Sequence, residues 1–438
     1  MADPRSVAAG ILLDIEIKKA YSALSLSDAL SGQSLNDPRD RAFVSGLVYG
    51  VLDHKLTLDH NISLYLTSKL SRLHPEVLTV LRIGALQILY LDKIPDSAAV
   101  NEAVRYIKKS KCSYASGLVN AVLRKISANG LIYPEDDGSA EYLAVRYSVP
   151  AELVKHFIRY YGREEALSVL SLAEGRRPVF IRVNSTKTTE EGLAGLLSTE
   201  DAGLKKTALP NCCELDFHGD ITSLSAFKEG LFHVQDMSSQ LCCAVVSPAP
   251  GTTFVDCCAA PGGKSFTCAE LMENKGTVIS CDVFEHKTKL IGDGAERLGL
   301  SCIKTVCGDA RLLSKTVKDA DTVLCDVPCS GFGVLGRKPE IRYKDINEAY
   351  GLPALQISVL ESCSAMVRSG GVLVYSTCTL DPKENEEVCL KFLSAHKEFE
   401  PEEFCIPGFE NSADGFLTVF PSTDGGDGFF IAKFRRKK

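Results

Sequence analysis

The chain has 438 residues, of which 45% are hydrophobic and 24% charged, and its formal net charge is −7. This length exceeds what one hydrophobic core usually supports, and the composition is typical of a soluble globular protein with two or three domains. The sequence shows no long uncharged apolar run and no basic leader before an apolar run. It therefore predicts neither a membrane span nor a secretory signal.

The cysteines argue against a disulfide framework. There are 17 of them, an odd number, and no two stand three positions apart as zinc and redox CxxC motifs require. We expect a cytoplasmic protein with reduced thiols, most of them small buried hydrophobic groups, and no metal site.

Charge is distributed unevenly along the chain. Residues 1–130 hold 16 basic and 12 acidic side chains, a net charge of +4, whereas the remainder carries −11. A basic front part is a weak sign of a polyanionic partner, and on the charge alone we favour the simpler explanation, a helical domain with a few extra lysines.

Residues 1–135 follow a helical pattern. For example, "PEVLTVLRIGALQILY" places Val77, Leu81, Ala85 and Ile88 at spacings of three or four residues. The region ends in the Gly-, Pro- and acid-containing stretch "ANGLIYPEDDGSAE". We expect an all-helical domain here.

The pattern changes twice further along the chain. Residues 145–235 combine helical segments with the short strand "VFIRV", which predicts a small α+β domain. From residue 236 to 438, short β-branched runs alternate with helical segments. Such alternation predicts an α/β fold, in which helices cover a parallel sheet.

The first strand of the α/β region leads into a turn of small residues, "DCCAAPGGKSF". Asp256 closes the strand, and the turn from Ala259 to Gly263 lets the backbone approach a ligand at a helix N-terminus. The spacing fits neither the GxGxxG pattern nor a P-loop, which would have Gly at the position of Cys258. Lys264 would oppose the helix dipole unless an anionic ligand group or solvent compensates.

Two further carboxylates end the next strands. Asp282 closes "TVISCD", 19 residues after Gly263, where an acid typically binds ribose hydroxyls. Asp309 in "CGDA" is placed to accept a hydrogen bond from an adenine amino group. For either acid alone, a helix N-cap is the alternative. An adenosine site without a phosphate cradle favours S-adenosylmethionine over NAD as the cofactor.

A thiol follows a later strand in "VLCDVPCSGFG". Amino-group methyltransferases often have an Asn/Asp-Pro-Pro-aromatic sequence here, but this chain has Cys329 after Pro328 and no aromatic residue. An exocyclic amine is therefore a poor target. A thiol beside a methyl donor suggests attack on C6 of a pyrimidine, which makes C5 nucleophilic.

A second thiol, Cys378, follows the strand in "VLVYSTCTLDPKENEEV". The residues after it predict a helix start, with Asp381 as N-cap, Pro382 at the first helical position and Glu384 closing a capping box. Cys378 would then lie at a strand end, where open α/β sheets bind ligands.

These motifs are similar to those of two known protein families. Residues 236–438 resemble the Sun/RsmB-type RNA cytosine-5 methyltransferase family in "DCCAAPGGKS", "DVPCSGFGVLGRKPEIRY" and "YSTCT", and residues 1–130 resemble the NusB-type RNA-binding domain in "NDPRDRAFVSGLVYG" and "LRIGALQILYLDKIP". The resemblance implies a Rossmann-like S-adenosylmethionine-dependent methyltransferase domain at 236–438, a NusB-like all-α domain at 1–135 and a small α+β domain at 145–235. This sequence departs from the family pattern in two places. It has the pair Cys257-Cys258, and it has Lys287 near the position of a family arginine.

The resemblance also implies roles for the site residues. Cys378 would attack C6 of a cytosine in 16S ribosomal RNA, helped by a helix N-terminus after Asp381 that lowers the pKa of the thiol. Asp326 would hold or protonate N3, and Cys329 would assist removal of the C5 proton and release of the enzyme. The cofactor would be lined by Cys258, Ala259, Ala260, Pro261, Gly262, Gly263, Lys264, Asp282, Asp309 and Asp326. The rival assignment makes Cys329 the nucleophile, as in DNA cytosine-5 methyltransferases.

The target cytosine would have to be single-stranded or flipped out of a helix. The candidate RNA contacts are Arg176, Arg177, Phe180, Arg182, Asn184, Arg337, Lys338 and Arg342. We expect a monomer. The alternatives are the same chemistry on another RNA such as tRNA, a methyltransferase for protein or a small molecule, and a non-catalytic RNA-binding or antitermination-type factor.

Overall fold

The computed structural model describes residues 3–18, 37–171, 174, 177–344, 346, 351–409, 412–421 and 426–438. The chain forms two compact units. Unit 1 consists of residues 1–174 and 338–344, and unit 2 of residues 175–337 and 345–438. Over the described ranges, every helix is too short or too polar to cross a membrane. The division into domains at 1–135, 145–235 and 236–438 stays a prediction.

Unit 1 is helical, as predicted from its apolar periodicity. Its helices are α1 (Pro4–Lys18), α2 (Pro38–Asp53), α3 (Lys55–Ser63), α4 (Pro75–Tyr90), α5 (Asp96–Lys109), α6 (Ser116–Asn129), α7 (Ala140–Tyr147) and α8 (Ala151–Ser171). Helix α4 is buried on most of its surface. It packs closely on α6 at Gly84, where an added Cβ would lie 2.6 Å from Leu123 Cδ1. The apolar α4 therefore forms the centre of this core.

A short segment from late in the chain completes unit 1. Residues Pro339–Tyr343 form a 3-10 helix whose Arg342 is 1% exposed. The Arg342 guanidinium donates to the backbone oxygen of Asp53 at 3.0 Å and to its carboxylate at 3.1 Å. The Tyr343 hydroxyl donates to the backbone oxygen of Leu52 at 2.7 Å. Unit 1 is thus discontinuous in sequence.

Unit 2 begins with a small antiparallel sheet in the order β2-β3-β1-β4. Its elements are β1 (Val179–Val183), α9 (Glu190–Ser198), β2 (Gly203–Lys206), β3 (Cys212–Asp216), α10 (Ser225–Lys228) and β4 (Phe232–Val234). Both faces of β1 are buried, since Ile181 and Phe180 belong to two different apolar cores. A central strand buried on both faces leaves no side for solvent.

The larger sheet of unit 2 has the order β10-β12-β9-β8-β5-β6-β7, and β11 pairs with β12. Its strands are β5 (Thr253–Asp256), β6 (Thr277–Asp282), β7 (Ile303–Cys307), β8 (Ala320–Asp326), β9 (Val367–Thr377), β10 (Phe399–Pro401), β11 (Phe416–Val419) and β12 (Phe429–Arg436). Strands β5 to β9 pair in parallel, and β12 runs antiparallel to β9.

Helices surround this sheet, which confirms the predicted Rossmann-like fold. They are α11 (Met237–Val246), α12 (Gly263–Leu271), α13 (Glu285–Leu298), α14 (Ala310–Leu313), α15 (Leu352–Ser364) and α16 (Glu386–Ala395). Alternate strand residues such as Phe254 and Val255 enter different cores on the two faces of the sheet. The chain reverses its winding direction between β5 and β8, and ligands bind at such a point beside the carboxyl ends of the strands.

Candidate active site

A buried carboxylate ends β5. Asp256 is 1% exposed. Its Oδ2 accepts a hydrogen bond from Ser265 Oγ at 2.8 Å, and Ser265 in turn accepts from Ser280 at 2.7 Å. Among the described residues, Asp256 Oδ1 has no hydrogen-bond partner. Burial raises the pKa of Asp256 to about 7. This side chain therefore offers an unused acceptor to a ligand with a donor group.

The turn after β5 has the backbone that a close-fitting ligand loop needs. Gly262 has φ +113° and is the N-cap of α12. A Cβ at Gly262 would lie 2.4 Å from the Phe266 ring, so only glycine fits. The Ala260-Pro261 peptide bond is cis, and Cys258 at the start of the turn is half-buried. The turn therefore keeps its backbone free of a side chain at Gly262, at the start of α12, where polar ligands typically bind in this kind of fold.

Lys264 in the first turn of α12 contacts a carboxylate of the chain itself. Its Nζ donates to Asp326 Oδ2 at 2.7 Å, while Ser376 Oγ donates to Asp326 Oδ1 at 2.7 Å. Burial acts to lower the pKa of Lys264, but the Asp326 charge outweighs it and the pKa is raised. Asp326, rather than an anionic ligand, therefore compensates the lysine charge that the sequence left unmatched.

The other two predicted acids lie at the ends of β6 and β7. Asp282 is 8% exposed and accepts from the backbone N–H of Phe284 at 3.0 Å. Asp309 caps α14 and forms an ion pair with Arg311. The hydrogen bonds from Arg311 lower the pKa of Asp309. Asp309 is thus occupied by a local cap and ion pair, whereas Asp282 lies beside the turn of small residues.

The two thiols meet at the ends of β8 and β9. The Sγ atoms of Cys329 and Cys378 are 3.2 Å apart, and both residues are half-buried. The hydrogen bond with Cys378, and then burial, raise the pKa of Cys329 well above its ordinary value. Either sulfur atom can be the donor of the hydrogen bond between them.

A glycine brings three segments together behind Cys378. The N–H of Gly333 donates to the backbone oxygen of Cys378 at 3.0 Å, and Gly428 N–H donates to Gly333 O at 2.8 Å. A Cβ at Gly333 would lie 2.0 Å from the Gly428 oxygen, so no other residue permits this approach. The backbone that carries Cys378 is therefore held from two sides.

Comparison with known proteins identifies the family. The model of the NusB family matches residues 2–128, and that of the RsmB/F 16S rRNA methyltransferases matches residues 243–435. The probable ribosomal RNA small subunit methyltransferase B of Bacillus subtilis is 37% identical over 99% of this chain and 98% of its own. The chain belongs to the RsmB/F family of 16S rRNA methyltransferases. The corresponding Escherichia coli O1:K1 protein is 31% identical over 99% of this chain and 98% of its own.

Solved structures support the fold of this family member. The crystal structure of PH0851 matches with a TM-score of 0.82 and 26% identity, covering 100% of this chain and 99% of that one. The structure of NSun6 from Pyrococcus horikoshii with SFG matches with a TM-score of 0.60 and 25% identity, covering 66% of this chain and 98% of that one. The resemblance inferred from the sequence motifs is thereby confirmed.

The predicted helix start after Cys378 is wrong. Helix α16 begins at Glu386 with Asn385 as its N-cap position, and the Asp381 side chain accepts from the Lys383 N–H at 3.1 Å, five residues before the helix. Glu384 does not close a capping box, because its carboxylate binds the Cys329 loop instead. The predicted effect of a helix N-terminus after Asp381 on the Cys378 pKa therefore has no basis.

Several predicted RNA contacts are structural residues. Phe180, Arg182 and Asn184 are at most 5% exposed, because they lie on or next to the central strand β1. Arg182 pairs with the buried Glu270 at 3.1 Å. The interpretation of these three, and of the buried Arg342, as RNA contacts is wrong, since their side chains offer RNA no surface.

The remaining predicted RNA contacts differ from one another. Arg337 joins three segments by donating to Asp236 and Asp427 at 2.7 Å each and to the backbone oxygen of Pro178 at 2.9 Å. Arg177 donates to the backbone oxygen of Gly426 at 2.8 Å. Lys338 is exposed, and Arg176 lies outside the described residues.

One cluster elsewhere has metal-ligating side chains. In unit 1, His74, Glu76 and Cys112 bring one donor atom each within 4.8 Å of one another, and no second group of this kind occurs in the described ranges. His74 Nδ1 already accepts from the Glu76 N–H at 3.3 Å as an N-cap. The thiol pair of unit 2 does not belong to this cluster, and the absence of a metal from the function stays a prediction.

Proposed function

We propose that this chain transfers a methyl group from S-adenosylmethionine to C5 of a cytosine in 16S ribosomal RNA through a covalent bond between Cys378 and C6. The observation that carries the proposal is the thiol pair, 3.2 Å apart, beside the Lys264–Asp326 pair at the strand ends. The fold alone fits many methyl acceptors. Two adjacent thiols instead favour chemistry that begins with a nucleophile and ends with its removal.

The cofactor side of the site fits S-adenosylmethionine. The unpartnered Asp256 Oδ1 suits a ligand ammonium group, the turn around Gly262 suits close backbone contact, and Asp282 suits ribose hydroxyls. The NSun6 relative was solved with SFG, an analogue of this cofactor. When bound, S-adenosylmethionine supplies an electrophilic methyl group on a sulfonium centre. Cys258, Ala259, Ala260, Pro261, Gly263, Lys264, Asp309 and Asp326 complete the proposed lining.

The residues of the chain supply the remaining chemistry. The Cys378 thiolate adds to C6 of the cytosine, and the electron pair of the C5–C6 bond becomes available at C5 for methylation. Asp326 holds the ring at N3 and shares a proton with N3, which offsets the negative charge that develops there, while Lys264 fixes the orientation of its carboxyl group. Cys329, as its thiolate, then accepts the C5 proton. The electron pair of the C5–H bond re-forms the C5–C6 double bond, and the Cys378–C6 bond breaks to return the Cys378 thiolate.

The RNA partner follows from the family and the charge distribution. A cytosine within a duplex cannot expose C6, so we propose a single-stranded or flipped base. The net positive charge of residues 1–130, in the NusB-like region, suits contact with phosphate groups. We further propose a cytoplasmic monomer, consistent with 17 free cysteines.

Bisulfite sequencing of 16S rRNA, with and without the gene for this chain, tests the proposal. We expect one cytosine that resists conversion only when the gene is present. The same change should be restored by purified protein with S-adenosylmethionine. Retention of every protected cytosine in 16S rRNA after deletion, with loss of one in tRNA, would overturn the substrate and leave the chemistry in place.

A further inference from the structure

Two consecutive residues, Glu384 and Asn385, lie behind the thiol pair and are both fully buried. They occupy the turn before α16 and take no part in the reaction steps described above. Each forms hydrogen bonds to a different thiol loop. The two side chains therefore connect the start of one helix to the loops that carry both thiols.

Glu384 holds the loop of Cys329. Its Oε2 accepts from the backbone N–H of Ser330 at 3.0 Å and from Gln356 Nε2 at 2.7 Å. The same Gln356 nitrogen donates to the backbone oxygen of Pro328 at 3.0 Å. The residues on both sides of Cys329 are thus fixed through one carboxylate.

Asn385 holds the loop of Cys378 in the same manner. Its Oδ1 accepts from Thr377 Oγ1 at 2.6 Å, and its Nδ2 donates to the backbone oxygen of Thr379 at 3.0 Å. Thr377 and Thr379 flank Cys378. The second thiol is therefore fixed on both sides by one carboxamide.

This arrangement is costly for a helix start alone. Glu384 Oε1 has no hydrogen-bond partner in the part of the chain that the structure describes, and burial raises the pKa of this side chain. Leaving a buried polar atom unpaired lowers the stability of the fold. A helix start needs only a small capping residue. The fold is thus less stable than it could be, and the hydrogen bonds that orient the Cys329 loop are kept.

We propose that Glu384 and Asn385 are positioning residues that separate the two halves of the reaction. Asn385 orients Cys378 and governs formation of the RNA adduct, whereas Glu384 orients Cys329 and governs its release. The inference rests on the proposed function. Because each residue acts on one thiol, adjacent substitutions should block opposite steps.

The experiment compares Glu384→Ala and Asn385→Ala in the full chain, using 16S rRNA transcripts with cytidine or with 5-fluorocytidine, which blocks release. We expect Glu384→Ala to accumulate adduct on ordinary RNA as its turnover falls about 100-fold, the cost of a small misplacement. Asn385→Ala should form adduct about 100-fold more slowly on both RNAs, for the same reason. The KM for RNA should change little in either variant.

Further variants keep the test valid if an alanine variant does not fold. Gln356→Met and Thr377→Val remove the opposite ends of the same hydrogen bonds and should reproduce the two effects in milder form. Glu384→Gln keeps an acceptor oxygen for Ser330 and should restore release. Glu386→Gln is the matched control, because Glu386 accepts from Thr418 instead of a thiol loop.

Three results would count against the proposal, in distinguishable ways. If both alanine variants release RNA at the wild-type rate, the positioning roles are wrong and the covalent mechanism stands. Equal loss of adduct formation in both, in step with loss of helical circular dichroism, would reduce the pair to a structural role. Absence of any adduct from the wild type on 5-fluorocytidine RNA would overturn the proposed function itself.

Discussion

The sulfur atoms of Cys329 and Cys378 lie 3.2 Å apart, although the residues are 49 positions apart in the chain. Two thiolates this close would repel each other strongly, so one ionises while the other donates a hydrogen bond. The hydrogen bond with Cys378 is also the largest cause of the raised pKa of Cys329. The geometry therefore supports unequal roles for the two sulfur atoms.

Replacing Cys378 with Ser tests the nucleophile. A serine hydroxyl is far less acidic than a thiol and does not add to C6 at neutral pH, so we expect methyl transfer to fall at least about 1,000-fold. Incorporation of labelled methyl groups into 16S rRNA measures the loss. Full turnover by Cys378→Ser, with inactivity of Cys329→Ser, would exchange the roles of the two thiols.

Replacing Cys329 with Ala tests release. Cys378 would still add to the base, but removal of the C5 proton would slow, so a covalent protein–RNA complex should accumulate on ordinary RNA. A denaturing gel with labelled RNA detects the complex. Cys307→Ala is the control, because Cys307 is exposed and outside the thiol pair. If the lane of the Cys329 variant contained only free RNA, this role of Cys329 would be refuted.

Replacing Lys264 with Met tests the orientation of Asp326. Without the cation 2.7 Å from its carboxylate, Asp326 should no longer be held in one orientation towards the base. We expect kcat to fall about 100-fold or more, as for loss of one preorganised charged group. Lys275→Met, which removes an exposed pair with Glu273, should leave kcat unchanged.

Replacing Arg342 with Leu tests whether this residue serves stability. We expect a loss of about 2 kcal/mol, below the roughly 3–5 kcal/mol of a fully buried pair, since the Asp53 side chain is 38% exposed. Burial already raises the pKa of Asp53 to about 6 against the opposing effect of Arg342. Without Arg342 that pKa rises further, so destabilisation should be larger at pH 8 than at pH 5. Urea unfolding at both pH values measures it.

An RNA-binding measurement on the same variants completes this test. Lys338→Ala, an exposed neighbour, should leave the free energy of unfolding unchanged. If Arg342→Leu weakened RNA binding at unchanged stability, the structural role would be refuted.

Replacing Asp256 with Asn tests the buried carboxyl. Its pKa of about 7 lies above that of an unfolded aspartate, so the folded state retains a proton that the unfolded state has lost. Stability from this group is present below about pH 4 and is lost as the pH rises to 7, by up to about 4 kcal/mol. The Asn variant should lack this decline, whereas the surface change Asp293→Asn should keep it. Equal pH slopes for wild type and Asp256→Asn would contradict the assignment.

The sequence predicted most of the architecture because its signals are local. Alternating β-branched runs and helical segments indicated the parallel sheet, and Asp256, Asp282 and Asp326 were placed at strand ends from those runs alone. Small-residue turns then indicated where a ligand approaches. These features depend on neighbours within a few positions, which a sequence displays directly.

The errors involve contacts between distant parts of the chain. Arg182 lies in a short strand that resembles an edge, but β1 pairs with β3 and β4 on its two sides and Arg182 meets Glu270, 88 positions away. Glu384 matched a capping box because Asp381 and Pro382 precede it, yet Ser330 and Gln356 bind it more favourably than a local cap. The largely charged and polar sequence around Glu384, "DPKENEE", gave no sign that this side chain is completely buried.

The discontinuity of unit 1 limits how the two units can be recombined. A fragment that starts at residue 175 would carry Arg342 away from Asp53, and a fragment that ends at 174 would lack the 3-10 helix Pro339–Tyr343. Each piece would expose groups that the intact chain buries. Exchange of the helical unit between relatives would thus require residues 338–344 to be exchanged with it. The unit that can be exchanged is therefore defined by the contacts between two separate stretches of sequence, and a single boundary in the gene does not delimit it.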